Sequence, residues 1–190
     1  GTGLSSVTGV VTTSAASAIA YTGVTFNGSV TVVGTCPAST EKGFVYGTAT
    51  NTYGAPIAVG SSVATGTYSY DLSSLSSATT YYYKAYMKDA NGNYVYGAEQ
   101  SFSTSTPAAQ IAFVNVPSNG IANSNLASFT IEARTASNVV DTGYSGTVTV
   151  TKASGSGAMS GSTTNVSFTN GIATFSDVKF DTADTYTLSA

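Results

Sequence analysis

Residues 71–102 constrain the fold of this chain more tightly than any other stretch. The segment 79–88 is dense in tyrosine, Asn91-Gly92 follows, and residues 94–102 resume the same strand-like pattern. Asn-Gly is the preferred dipeptide of a two-residue type I′ turn, because both positions need a positive φ. Closing the turn there predicts a register. Met87 then faces Tyr96, Ala85 faces Ala98 and Tyr81 faces Phe102 on one side, with Tyr86 opposite Gly97 and Lys84 opposite Glu99 on the other. One face is apolar and the other carries an opposite-charge pair, so the predicted hairpin is self-consistent.

Elsewhere helical periodicity is absent, and alternating β-branched and aromatic residues recur between Gly, Asn, Ser and Pro. The chain is therefore expected to be all-β. Predicted strands in the first half are 7–12, 23–33, 42–48, 66–72, 81–88 and 94–103. Ser103-Thr104-Ser105-Thr106-Pro107 breaks the pattern, since residues before a proline favour an extended connection. A boundary placed there gives domains 1–106 and 107–190. Eleven of the thirteen tyrosines precede residue 100, so the second half is a different module. Its predicted strands are 110–116, 128–134, 146–152, 165–169, 172–175 and 185–190, with Asn170-Gly171 closing a second hairpin. That turn sets Phe168 opposite Ala173 and Val166 opposite Phe175 as a second core.

Leu72, Leu75, Thr79 and Tyr81 stand at the spacing L-x-x-L-x-x-x-T-x-Y, which resembles the tyrosine corner of fibronectin type III domains. Thr40-Glu41-Lys42-Gly43-Phe44-Val45-Tyr46 and Thr79-Thr80-Tyr81-Tyr82-Tyr83-Lys84-Ala85-Tyr86 resemble the third and sixth strands of the bacterial members, with lysine where those often have arginine. This resemblance spans residues 7–105. It implies a β-sandwich in which the Tyr81 hydroxyl bonds back to backbone, with Leu75 beside it in a structural role. Ile111-Ala112-Phe113, the run 144–150, the run 170–175 and the run 184–190 resemble bacterial Ig-like repeats of large surface proteins. The pattern departs at Thr135-Ala136-Ser137-Asn138, where that family often has a D-x-x-G-N turn. Together the resemblances imply two tandem immunoglobulin-like, fibronectin type III-like β-sandwiches.

The chemical inventory excludes several functions. The chain has no histidine and one cysteine, so the usual general base and the commonest zinc ligand are missing. No enzymatic activity and no cofactor are expected. Paired-carboxylate catalysis would have to draw on Asp71, Asp89, Glu99, Glu132, Asp141, Asp177, Asp181 or Asp184, and small sandwiches rarely offer a cleft between two acids. Six basic residues scattered over 190 make no nucleic-acid stripe. No stretch is long and apolar enough for a membrane-spanning helix, so direct membrane insertion is not expected. The N-terminus lacks a signal-peptide pattern, and the chain is expected to be mature, trimmed or part of something larger.

Four local features invite a functional reading. Tyr82, Lys84 and Tyr86 fall on the outer face of the predicted hairpin and could bind a glycan or a cell-surface protein; equally, Tyr86 could simply cover Gly97, and Tyr82 the strand below it. Asp89, Asn91 and Asn93 alternate like a calcium loop, but the glycine comes too early and a hairpin turn accounts for all five residues 89–93. Cys36 could be a reactive thiol or an inert one, and no basic neighbour lowers its pKa. Asn27, Asn165 and Thr182 lie in short glycosylation-like patterns.

With only 8% charged residues in the chain and a hydroxyl-rich composition, these readings favour an extracellular, bacterial cell-surface stalk or adhesive module flanked by other domains of a parent protein. The alternatives are an accessory, spacer or carbohydrate-binding part of a secreted enzyme, and a subunit of a surface layer or filament pairing through edge strands.

Overall fold

A computed structural model describes residues 7–35 and 37–190, and is all-β throughout the described residues. Cys36 lies outside them. The chain divides into two compact units, Gly1–Ser105 and Thr106–Ala190.

The first unit contains β1 (Val10–Ser17), β2 (Val24–Val32), β3 (Ser39–Gly47), β4 (Ile57–Gly60), β5 (Gly66–Leu72), β6 (Thr80–Asp89), β7 (Tyr94–Tyr96) and β8 (Gln100–Ser103). Strands β1-β2-β5 form one sheet, and β4-β3-β6-β7 form another, with β8 continuing along β6 beyond β7. Alternation along β2 turns Val24, Phe26 and Val30 toward the second sheet, and alternation along β6 turns Tyr81, Tyr83, Ala85 and Met87 toward the first. The core between them is aromatic. Phe26 stacks on Tyr83 at 4.5 Å and meets Phe44 at 5.5 Å and Phe102 at 5.9 Å.

The turn between β6 and β7 is not the two-residue type I′ turn expected at Asn91-Gly92. Asp89 and Asn93 pair instead, with the Gly92 N–H donating to Asp89 O at 3.0 Å and the Asp89 N–H to Asn93 O at 2.9 Å. Only Gly92 takes a positive φ, +87°, as in a three-residue loop with glycine in the left-handed position. The cause is Asp89. Its Oδ1 accepts the N–H groups of Asn91 (2.8 Å) and Asn93 (2.9 Å), and so fixes the wider loop.

The extra loop residue moves the register by one. Tyr86 faces Tyr96, Met87 faces Val95 and Lys88 faces Tyr94, against the expected Met87–Tyr96 and Tyr86–Gly97 pairs. Three residues, 97–99, then oppose two on β6, and this bulge restores the expected pairing of Tyr81 with Phe102. The Ala85–Ala98 and Lys84–Glu99 pairs fall within the bulge and do not form. Thr13 of β1 fills the gap, its hydroxyl accepting the Ala85 N–H at 3.0 Å.

The second unit contains β9 (Gln110–Val114), β10 (Phe129–Arg134), β11 (Thr147–Val148), β12 (Thr151–Ser154), β13 (Met159–Ser160), β14 (Val166–Ser167), β15 (Ile172–Phe175), β16 (Lys179–Phe180) and β17 (Thr187–Ser189). They form the sheet β15-β10-β9 and the pairs β11-β14, β12-β17 and β13-β16. Asn170 (φ 49°) and Gly171 (φ 75°) make the expected two-residue turn, with Thr169 and Ile172 exchanging hydrogen bonds. Beyond it the strands part, because each joins a different sheet. Val166 pairs with Val148 and Phe175 with Phe129, so the expected Val166–Phe175 pair is absent. Phe168 and Ala173 are nevertheless both buried in a core built around the Phe129–Phe175 stack. Residues 135–139 do turn, with Asn138 at φ 63° in place of the missing glycine.

Candidate functional site

Successive side chains of β6 alternate between core and outer face, so Tyr82, Lys84, Tyr86 and Lys88 share the outer side of the sheet. The structure does not leave them equally available. Tyr86 is 0% exposed. It lies across from Gly43 on β3 and Tyr96 on β7, and its hydroxyl donates to Glu41 Oε1 at 2.7 Å. Gly43 makes room for this arrangement: a Cβ there would stand 1.9 Å from Ile57 O and 2.8 Å from the Tyr86 hydroxyl. Burial, reinforced by the Glu41 carboxylate, pushes the Tyr86 phenol well above its ordinary range.

Tyr94 and Tyr96 cover Tyr86, meeting its ring edge-on at 5.2 and 6.4 Å and lying parallel to each other at 5.8 Å. Tyr96 is 46% exposed, and Lys88 Nζ stands 5.5 Å above the Tyr94 ring. The outward aromatic surface at this end is therefore Tyr94 and Tyr96. The Tyr94-x-Tyr96 spacing already puts both on one face, but only the wider loop brings that face to Tyr86.

At the other end, Lys84 meets the turn after β3. Its Nζ donates to Asn51 Oδ1 at 3.1 Å and lies 5.3 Å from the Tyr53 ring centroid. Glu99 holds the same turn, accepting from the Thr50 hydroxyl (2.5 Å), the Asn51 N–H (2.8 Å) and the Tyr53 hydroxyl. These donors, the Thr50 hydroxyl foremost, bring the Glu99 carboxyl down to about 2, with nearby Lys84 adding to the effect. Tyr53 moves the opposite way, pushed up to about 12 by burial and then by Glu99. Tyr82, half-buried between Gly47 and Ser101, completes the outer row.

The remaining sequence-derived candidates are structural in their contacts. The Tyr81 hydroxyl accepts the Ser76 N–H at 3.0 Å, and Leu75 is buried beside it. Asp89 also takes the Asn93 side-chain N–H at 3.0 Å, so the loop turns donors, not oxygens, toward its carboxylate. No cluster of three or more acids, His or Cys exists among the described residues. Asn27 is tied within the first sheet, donating to Ala15 O and Ser17 Oγ at 2.9 Å each.

Each of the nine carboxylates accepts a hydrogen bond from its own fold. Besides Glu41, Asp89 and Glu99, Asp71 takes the Thr25 hydroxyl, Glu132 takes Arg134, and Asp141 takes the Ala108 and Gly143 N–H groups. Asp177 holds Ser162, Asp181 holds Ala158 and Asp184 holds Ser156. No helix among the described residues is long and apolar enough to cross a membrane.

No family model and no curated protein matches the chain. Two solved structures are similar to part of it, both of the sensor domain of the anti-sigma factor RsgI4 from Pseudobacteroides cellulosolvens. The longer form is 20% identical with a TM-score of 0.39, covering 60% of this chain and 99% of its own. The shorter form is 19% identical with a TM-score of 0.38, covering 51% and 94%.

Proposed function

We propose that the chain is a non-catalytic extracellular module, two tandem immunoglobulin-like β-sandwiches of a bacterial surface protein, the first of fibronectin type III type and the second a bacterial Ig-like repeat. Its work on this reading is that of a stalk or adhesive segment between neighbouring domains. The observation that carries the proposal is the use of the carboxylates. All nine accept hydrogen bonds from turns or side chains of the fold, which supports a structural role for them on this reading. The Tyr81–Ser76 hydrogen bond supports the fibronectin-like assignment of the first unit.

If the module binds a glycan or a surface protein, the outer face of β6 and β7 offers Tyr82, Lys84, Tyr94 and Tyr96, whereas Tyr86 lies too deep to touch a ligand. The decisive experiment combines single-molecule extension with a turnover screen on polysaccharides and peptides. Two resolved unfolding steps and no turnover are expected. Hydrolysis abolished by replacing one carboxylate would overturn the proposal.

A further inference from the structure

The dipeptide Asn-Gly occurs four times, at residues 27–28, 91–92, 119–120 and 170–171. At such a pair the glycine nitrogen can attack the asparagine Cγ and expel the side-chain amide, because glycine has no side chain to hinder the approach. Two conditions govern the step. The attacking nitrogen must be free of a hydrogen bond, since it has to give up its proton, and the backbone must be able to rotate until the ring closes. Three of the four sites fail them. Asn27 and Gly28 stand within β2, paired to β1 on one side and β5 on the other, and Asn27 Nδ2 donates to Ala15 O and Ser17 Oγ at 2.9 Å each. Gly171 N–H donates to Tyr144 O at 3.3 Å, and a Cβ at Gly171 would stand 2.3 Å from Asp141 O, so this turn is packed against its neighbour. At the third site Asp89 O accepts the Gly92 N–H at 3.0 Å and Asp89 Oδ1 the Asn91 N–H at 2.8 Å, which fixes the peptide planes on both sides of Asn91.

Asn119-Gly120 differs. It lies in the connection between β9 and β10, where both residues are exposed and the next, Ile121, is 78% exposed. That connection is anchored only further on, where the Asn123 and Leu126 N–H groups donate to Phe180 O and Val178 O, both at 2.7 Å. Residues 116–120 make no hydrogen bond, from backbone or side chain, among the described residues. The Gly120 nitrogen is thus the one attacking group of the four that is both unengaged and in water.

We propose that Asn119 is a site of spontaneous covalent modification, the position at which the folded chain converts asparagine to aspartate and isoaspartate. Gly120 N gives its proton to hydroxide and bonds to Asn119 Cγ; the Cγ–Nδ2 bond breaks, and Nδ2 leaves as ammonia with a proton supplied by water. Water then opens the cyclic imide. Attack at Cγ breaks its bond to Gly120 N and leaves aspartate, whereas attack at the main-chain carbonyl carbon leaves the chain linked through Cγ as isoaspartate. The sum is one water consumed and one ammonia released, with no change of oxidation state. Either product sets a new carboxylate in the loop, and isoaspartate also lengthens the main chain by a methylene ahead of the anchor at Asn123.

The test ages the whole chain in mildly alkaline buffer, folded and, in parallel, unfolded in guanidinium chloride, and follows it by chymotryptic peptide mapping with mass spectrometry and by enzymatic methylation of isoaspartate. Cleavage after Tyr94, Tyr96 and Phe113 separates Asn91 from Asn119. Each site's rate in the unfolded chain is its own reference. In the folded chain Asn119 should keep nearly its unfolded rate. Asn91 should be slowed by about fivefold, the effect of one exposed turn hydrogen bond, and Asn27 and Asn170 should wait on opening of their strands and fall much further behind. Asn119→Gln, whose longer side chain has a larger ring to close, should remove the early isoaspartate while leaving the fold intact. Gly120 is kept, because a Cβ there would stand 2.5 Å from Leu126 Cδ2. Conversion of Asn91 ahead of Asn119 in the folded chain, suppression of Asn119 as strong as that of Asn27, or undiminished isoaspartate in Asn119→Gln would each overturn the proposal.

Discussion

Lys84 and Glu99 are joined through a third residue: Lys84 Nζ donates to Asn51 Oδ1 at 3.1 Å, and the Asn51 backbone N–H donates to Glu99 Oε2 at 2.8 Å. The two charges are neighbours without forming an ion pair, and Asn51, at φ 54°, holds a conformation that glycine also accepts. Asn51→Gly removes Oδ1 but keeps the N–H. In a double-mutant cycle read by denaturant melts, Lys84→Ala and Asn51→Gly should be coupled, while Lys84→Ala and Glu99→Ala, which share Asn51 and a Coulomb attraction but no ion pair, should be coupled only weakly. Strong coupling of the latter pair would mean a direct ion pair that the geometry lacks.

The same turn gives an acid dependence with a defined sign. Glu99 is brought down to about 2 in the folded chain from an ordinary value near 4.5, so its contribution is fully present above the ordinary range. It is lost as pH falls toward about 2. Asp177 and Asp184 are lowered too, chiefly by donors from Ser162 and Ser156, so the second unit should lose stability over an acid range as well. A carboxyl NMR titration of Glu99 should show a midpoint well below that of a free glutamate, and Glu99→Gln should flatten the acid limb of the first unit's stability curve. A midpoint in the ordinary range would remove the basis for both expectations.

Tyr81 and Tyr82 are adjacent on β6 and should respond unequally to loss of the hydroxyl. Tyr81→Phe deletes the acceptor of the Ser76 N–H and leaves the ring in the core, at a cost of about 1 kcal/mol. Tyr82→Phe should be close to neutral, since that half-buried side chain packs on the outer face. Equilibrium urea melts of the two variants distinguish them, and equal losses would contradict the alternation along β6.

Strand identity was legible in the sequence where a local signal decided it. Residues 66–72 and 172–175 are strands with the expected bounds, as composition and flanking glycines indicate. The Tyr81 hydroxyl accepts a backbone N–H, that of Ser76. Register was not legible where a side chain chose between two acceptable turns. Asn91-Gly92 suits a two-residue loop, but Asp89 captures the N–H groups of Asn91 and Asn93 and selects the wider one. The partner of Glu99 was equally hidden, because the turn it holds lies 46 to 49 residues away along the chain. Strands β13 and β16, two residues each, are too short for any alternation to mark them. At the outer face the sequence correctly placed Tyr82, Lys84 and Tyr86 on one side, but burial of Tyr86 depends on Tyr94 and Tyr96 arriving in the shifted register.

The two units should differ in thermal stability, and the tyrosines provide the means to see it. The first unit rests on sheets of three and five strands around Phe26, Phe44, Tyr83 and Phe102, whose rings contact one another within 6.4 Å. In the second, only β15-β10-β9 has three strands, and the others form isolated two-stranded pairs that are weak without a neighbour. Leu126 and Leu188, which pack against its core, are also only partly buried. The second unit should therefore melt first. Eleven of the thirteen tyrosines belong to the first unit, so near-ultraviolet circular dichroism reports mainly on that core while far-ultraviolet signal reports on both. On heating, the far-ultraviolet signal should begin to change before the tyrosine signal, and Phe175→Ala should widen the gap by lowering only the earlier transition. A substitution in that core typically costs about 3 to 5 kcal/mol, enough to shift a small domain's transition by well over ten degrees. Coincident loss of both signals, moved together by Phe175→Ala, would show that the two cores unfold as one.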